Sequence, residues 1–169
     1  MMAKVLLSEA IEIFQDAVDQ FSGNLYYFDR KSEKFKIVNS EIIDAIEMGD
    51  SRADLLAGYD RLEVNDALDY VDKQGSQQIV AVYNQFEINT WDHMQRFAWY
   101  KGAPELAEAI NRRGAYRIFR MMVTDKGWLD EWYQFEQKQY AKEIYRWAQD
   151  NDIEVKDDLE IGTDRDQFS

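Results

Sequence analysis

Apolar positions change their period several times along the chain. Over residues 4–21, Leu6, Ala10, Ile13, Phe14, Ala17 and Phe21 recur at helical spacing, with Glu9, Glu12, Asp16 and Asp19 largely opposite. That pattern predicts an amphipathic helix, ended by Gly23-Asn24. Asn24–Phe28 then reads as an aromatic-rich strand, Asp29–Glu33 as a polar turn, and Lys34–Val38 as a second strand in which Phe35 and Ile37 alternate with lysines. Together they predict a hairpin.

Ser40 is placed to cap a short helix carrying Ile42, Ile43 and Ile46, with Gly49 as its stop. Ser51 followed by Asp54 has the form of a capping box, and residues 52–73 are helical in pattern, in two pieces about Gly58. Within 77–88, the run Ile79-Val80-Ala81-Val82-Tyr83 is the β-branched signature of a strand that joins the hairpin. From there the pattern is helical. Thr90 caps 91–100, with Trp91, Met94, Phe97 and Ala98 inward; Pro104 opens 104–112, with Leu106, Ala109 and Ile110 inward. Residues 114–124, a turn at Asp125-Lys126-Gly127 and a long helix over 128–151 complete the series, the last with Trp128, Leu129, Trp132, Tyr133, Tyr140, Ile144 and Trp147 on a broad apolar face. The expected fold is α+β: a small antiparallel sheet, an N-terminal helix and a mostly helical C-terminal half. Residues 1–155 form one domain in this scheme, and 156–169, acidic and poor in large apolar side chains, form a flexible tail.

Composition adds constraints. A chain of 169 residues with 46% apolar side chains can build its own core without metal or disulfide. Cysteine is absent, which removes disulfides, thiolate metal sites and cysteine nucleophiles. No apolar run approaches the ~18 residues of a membrane span. Glu9 and Glu12 also interrupt the place where an export signal would be uncharged, so the expected location is cytoplasmic.

The net charge of −13 repels nucleic acid and anionic lipid from most of the surface. Its distribution is uneven. Residues 93–146 hold 10 basic and 7 acidic side chains, a balance of +3, and the rest of the chain therefore carries −16.

Helical phase gives that basic segment a shape. At about 100° per residue, Leu106, Ala109 and Ile110 share a face with Arg113, Arg117 and Arg120 on a continuous helix, while Ile118, Phe119, Met122 and Val123 point away. One straight helix cannot bury both apolar sets against one core, so the chain must break near Arg112-Arg113-Gly114. A new helix start there offers unpaired N–H groups beside the arginines, a cradle for a phosphate, a carboxylate or a phosphodiester backbone. The candidate ligand-binding residues are Arg112, Arg113, Gly114, Arg117, Arg120 and Tyr133, whose hydroxyl reaches the arginine helix if the two pack together. The alternative is that these arginines pair with the protein's own carboxylates, such as Glu131 or Glu136.

Other chemistry is sparse. The aromatic stretch Trp128–Phe135 has the spacing of core, although exposed it would stack bases. His93 is the single histidine, expected in a first helical turn and partly exposed; alone it does not make a metal site. No nucleophile elbow, Walker loop, dinucleotide fingerprint or calcium loop is present, so no catalytic residue, metal or cofactor is assigned.

The run Ala109-Ile110-Asn111-Arg112-Arg113-Gly114-Ala115-Tyr116-Arg117-Ile118-Phe119 resembles the hallmark of the bacterial uncharacterised protein family 0158, where an alanine-isoleucine pair leads into Gly-Arg-Gly-Ala-Phe-Arg-Arg-Phe. The likeness continues through Glu131-Trp132-Tyr133, Phe135 and Arg146-Trp147 to Asn151-Asp152-Ile153, and upstream through Met94, Phe97 and the hairpin from Tyr27 to Val38. It covers most of residues 5–153 and is sharpest over 109–147. Arg112 stands where the family has its first glycine, and Ile118 where it has its second arginine. The resemblance implies a small α+β fold and a bacterial cytoplasmic setting, and brings no activity.

The function these observations lead one to expect is that of a non-catalytic binding or regulatory module recognising an anionic ligand or an acidic partner near Arg113–Arg120. The alternative is an acidic interaction module, an inhibitor or nucleic-acid mimic engaging a basic partner. An enzyme, the third possibility, would need a cleft that pairs His93 with a displaced carboxylate.

Overall fold

The computed structural model describes residues 2–20 and 23–161. Its fold is α+β, with small sheets and a helical C-terminal half.

The hairpin forms as expected, from β2 (Leu25–Asp29) and β3 (Lys34–Val38) in antiparallel register, Phe28 opposite Phe35. β4 (Ile79–Ala81) pairs antiparallel with the other edge of β2, making a three-stranded sheet in the order β3-β2-β4. Because side chains alternate along a strand, β2 serves two cores at once. Phe28 and Tyr26 pack on one face with β1 (Ala3–Leu6), α1 (Leu7–Asp19) and α8 (Leu129–Asp150). Tyr27 packs on the other with α2 (Ser40–Glu47), α3 (Arg52–Leu56) and α4 (Arg61–Lys73). The capping box at Ser51 and Asp54 is fully formed. The cap of α2 is Asn39, whose side chain accepts from the Glu41 amide; Ser40, expected in that role, is instead the first helical residue.

A third core joins α5 (Thr90–Tyr100), α6 (Pro104–Ala109), α7 (Ala115–Asp125) and the first turns of α8. With 22 residues, α8 runs about 33 Å and connects two of the cores, placing Trp132 in this one and Tyr140, Ile144 and Trp147 in that of α1. The Trp147 indole N–H donates to the Ala81 carbonyl at 2.8 Å, tying α8 to the sheet.

The N-terminus departs from expectation. Ala3–Leu6 is a strand, not the start of a helix, and pairs parallel with β5 (Ile153–Lys156), Ala3 opposite Ile153. Val5 and Ile153 are buried in the α1–α8 core, which a strand pair achieves and one more helical turn would not. Lys156, assigned to the tail, closes β5; just beyond it Asp158 accepts bonds from the amide and hydroxyl of Ser8. The remainder of the expected tail, 162–169, and Phe21 of the expected helix lie outside the described residues. No helix among the described residues is long and apolar enough to cross a membrane.

Candidate anion-binding site

The corner between α6 and α7 is built locally. Pro104 occupies the first turn of α6, and α6 ends at Ile110, whose carbonyl accepts the Trp91 indole N–H at 3.0 Å. Trp91 was expected inward; it lies half on the surface, with its N–H bonded to this carbonyl. The chain then breaks where phase demands. Gly114 caps α7 with φ +75° and ψ 28°, left-handed values that cost a side-chain-bearing residue. At the other end Gly127 takes φ +74°, and the amides of Gly127 and Trp128 donate back to Thr124 and Val123, a Schellman closure.

Between those stops α7 has two faces. Phe119 and Val123 are fully buried, the Phe119 ring meeting that of Trp132 edge-on at 4.7 Å. This fixes the rotation of the helix, so that Tyr116, Arg117, Arg120, Met121 and Thr124 face outward around an open groove of about 510 Å³.

The six expected site residues divide into two groups. Arg120 and Tyr133 do meet: the Arg120 Nη2 donates to the Tyr133 hydroxyl at 2.9 Å, and the guanidinium lies 5.9 Å from the ring centre. Arg117 lines the groove with Arg120. Arg112, Arg113 and Gly114 are exposed at the corner beside it and do not line it. Arg112 has a long contact, 4.0 Å, with Glu108. Among the described residues no carboxylate lies within 4.0 Å of Arg113 or Arg117. The acceptors proposed for internal pairing are otherwise placed: Glu131 binds Lys101 at 2.7 Å, and Glu136 forms no ion pair within 4.0 Å among the described residues.

Glu136, named from the sequence only as a pairing partner for the arginines, has a setting that the sequence alone did not show. It sits half-buried on α8, facing Asp19 at the end of α1 and Arg120 on α7. Burial and the Asp19 charge push its pKa up to about 7, against the opposing pull of Arg120. Asp19 is raised in turn by burial and by Asp16. Burial and the charges of Glu136 and Asp19 raise the pKa of Tyr116, against the opposing pull of Arg120. Arg120 is therefore the hinge between an outer groove and an inner carboxylate pair. Only packing of three separate helices creates the pair, so no spacing in the sequence signals it.

His93 is 5% exposed, a correction of its expected position. It falls one helical turn before Phe97 on the inward face of α5 and meets Tyr140 edge-on at 5.5 Å. Its Nδ1 is buried without a hydrogen-bond partner among the described residues, and burial lowers its pKa to about 4. Among the described residues no group of three or more His, Cys, Asp or Glu side chains is placed to hold a metal ion.

The fold and site define a small α+β protein with an exposed arginine–tyrosine face on one helix. No family model, curated protein or solved structure matches the chain.

Proposed function

We propose that the protein is a non-catalytic binding module that recognises an anionic group on the outer face of α7, through Arg113, Arg117 and Arg120. One observation carries this. In a chain of net charge −13, Arg113 and Arg117 have no carboxylate within 4.0 Å among the described residues, and α7 has no acidic residue in its first turn. Exposed guanidinium groups beside an uncapped helix start suit carboxylate or phosphate oxygens, which accept paired N–H bonds. Arg120, held by Tyr133, supplies a third cation whose direction is already set. Arg112 contributes general positive potential, its side chain being drawn toward Glu108. The kinship with uncharacterised protein family 0158, and the bacterial cytoplasmic setting it implies, belong to the same proposal and rest on the Ala109–Phe119 and Glu131–Phe135 stretches.

Thermal melting and calorimetry with sulfate, phosphate, nucleotides and short RNA test it. The expected result is an anion-dependent rise in melting temperature that weakens with added salt and is lost in the Arg113→Ala/Arg117→Ala double variant. A response of equal size in the double variant removes the site.

A further inference from the structure

The groove on α7 is more than a charged surface. Tyr116 is 48% exposed and Met121 56%, and both line the groove with Arg117 and Arg120; Tyr133, 42% exposed, adjoins it through its bond to Arg120. Other exposed apolar side chains lie elsewhere: Met48, Leu62 and Phe86 on separate elements or loops, and Trp99 and Tyr100 together at the end of α5, with no arginine lining the pocket beside Trp99. Tyrosine, methionine and arginine are the side chains enriched at the centres of protein interfaces, where apolar area and fixed donors act together. A bare inorganic anion makes no use of the apolar part.

The groove also has direction. Arg113 and Arg117 stand at the start of α7, and Asp125 ends both the helix and the groove. Thr124, in between, donates its hydroxyl to the Arg120 carbonyl at 2.7 Å, so that donor is committed to its own helix. An occupant therefore meets cations at one end, apolar surface in the middle and a carboxylate at the far end. Arg120 is already ordered by Tyr133, which lowers the entropic cost of engaging it.

We infer that the outer face of α7 docks a short acidic segment of a partner protein, its carboxylates on Arg113, Arg117 and Arg120 and an apolar side chain between Tyr116 and Met121. Charge complementarity chooses this occupant: a polynucleotide brings a long run of charge that the −16 outside residues 93–146 repels, whereas a short peptide confines its charge to the helix start. The inference rests on the anion-binding function proposed above and names its ligand class.

Amide chemical-shift titrations of the full chain test it with four probes. They are sulfate, polyglutamate, a helix-forming peptide of about 14 residues with glutamates in its first turns and leucines spaced along one face, and oligouridylate. The leucine peptide is expected to shift amides of residues 113–125 and Tyr133, binding about tenfold more tightly than polyglutamate of equal charge. Met121→Ser is expected to erase that margin while leaving the sulfate response intact, and Arg117→Ala to weaken every probe. Dispersed spectra of both variants establish that they fold. If sulfate and polyglutamate shift α7 but the leucines add nothing, or oligouridylate binds best, the peptide assignment is overturned and anion binding stands. If no probe shifts α7, both fall.

Discussion

Glu136 keeps its proton at a pH where an exposed glutamate has lost it. With the native pKa raised from 4.5 to about 7, the folded protein binds this proton more tightly than the unfolded chain. Stability from this group is therefore largest below pH 4.5 and declines as pH rises to 7. Glu136→Gln removes the cost of ionising a half-buried carboxylate beside Asp19. The variant is expected to gain about 1–3 kcal/mol at pH 8 and almost nothing at pH 4.5, read from urea denaturation at both values. An equal change at both would mean that Glu136 is solvated. Asp29 shows that burial alone does not set the direction. It is only 3% exposed, and burial raises its pKa, yet bonds from Gln78, the Lys31 amide and Lys36 outweigh that and hold it at about 2. In the sequence these are two carboxylates among 33 acidic residues, because what separates them is a set of donors from other elements.

The break between α6 and α7 was legible because helical phase is local: seven apolar positions and three arginines within residues 106–123 cannot all satisfy one axis. The contact of Arg120 with Tyr133 was foreseeable on the same terms, as two consecutive helices joined by a glycine turn. Gly114→Ala should cost about 1 kcal/mol, measured by urea denaturation. No atom lies within 4 Å of the added methyl, so the cost is backbone strain alone, and Gly114→Asn should recover part of it. Equal stability of all three proteins would show that the corner is not held left-handed. β1 was not legible. Val5-Leu6-Leu7 is apolar enough for either helix or strand, and its partner, β5, is neither long nor strongly patterned.

Across the molecule, His93 and Glu136 titrate against each other. His93, lowered from 6.5 to about 4, leaves the unfolded chain holding more protons between those values, so its contribution to stability rises with pH. That of Glu136 falls over an overlapping window. From these two groups the wild-type profile is expected to be nearly level between pH 5 and 6.5. His93→Gln should tilt it downward with rising pH, and Glu136→Gln upward; denaturation midpoints across that interval check both signs. The charge distribution was readable from composition, but which cations stay unpaired depended on tertiary packing: Lys101 takes Glu131 and Lys126 takes Glu105, leaving α7 bare. The pairing of β1 with β5 sets an order on biogenesis. The residues of β1 must wait for a mate 150 positions later, Ala3 for Ile153. At translation rates of about 5–20 residues per second, that is a delay of roughly 8–30 s. During this interval the nascent chain presents an unzipped edge, and the α1 core closes only once β5 has emerged.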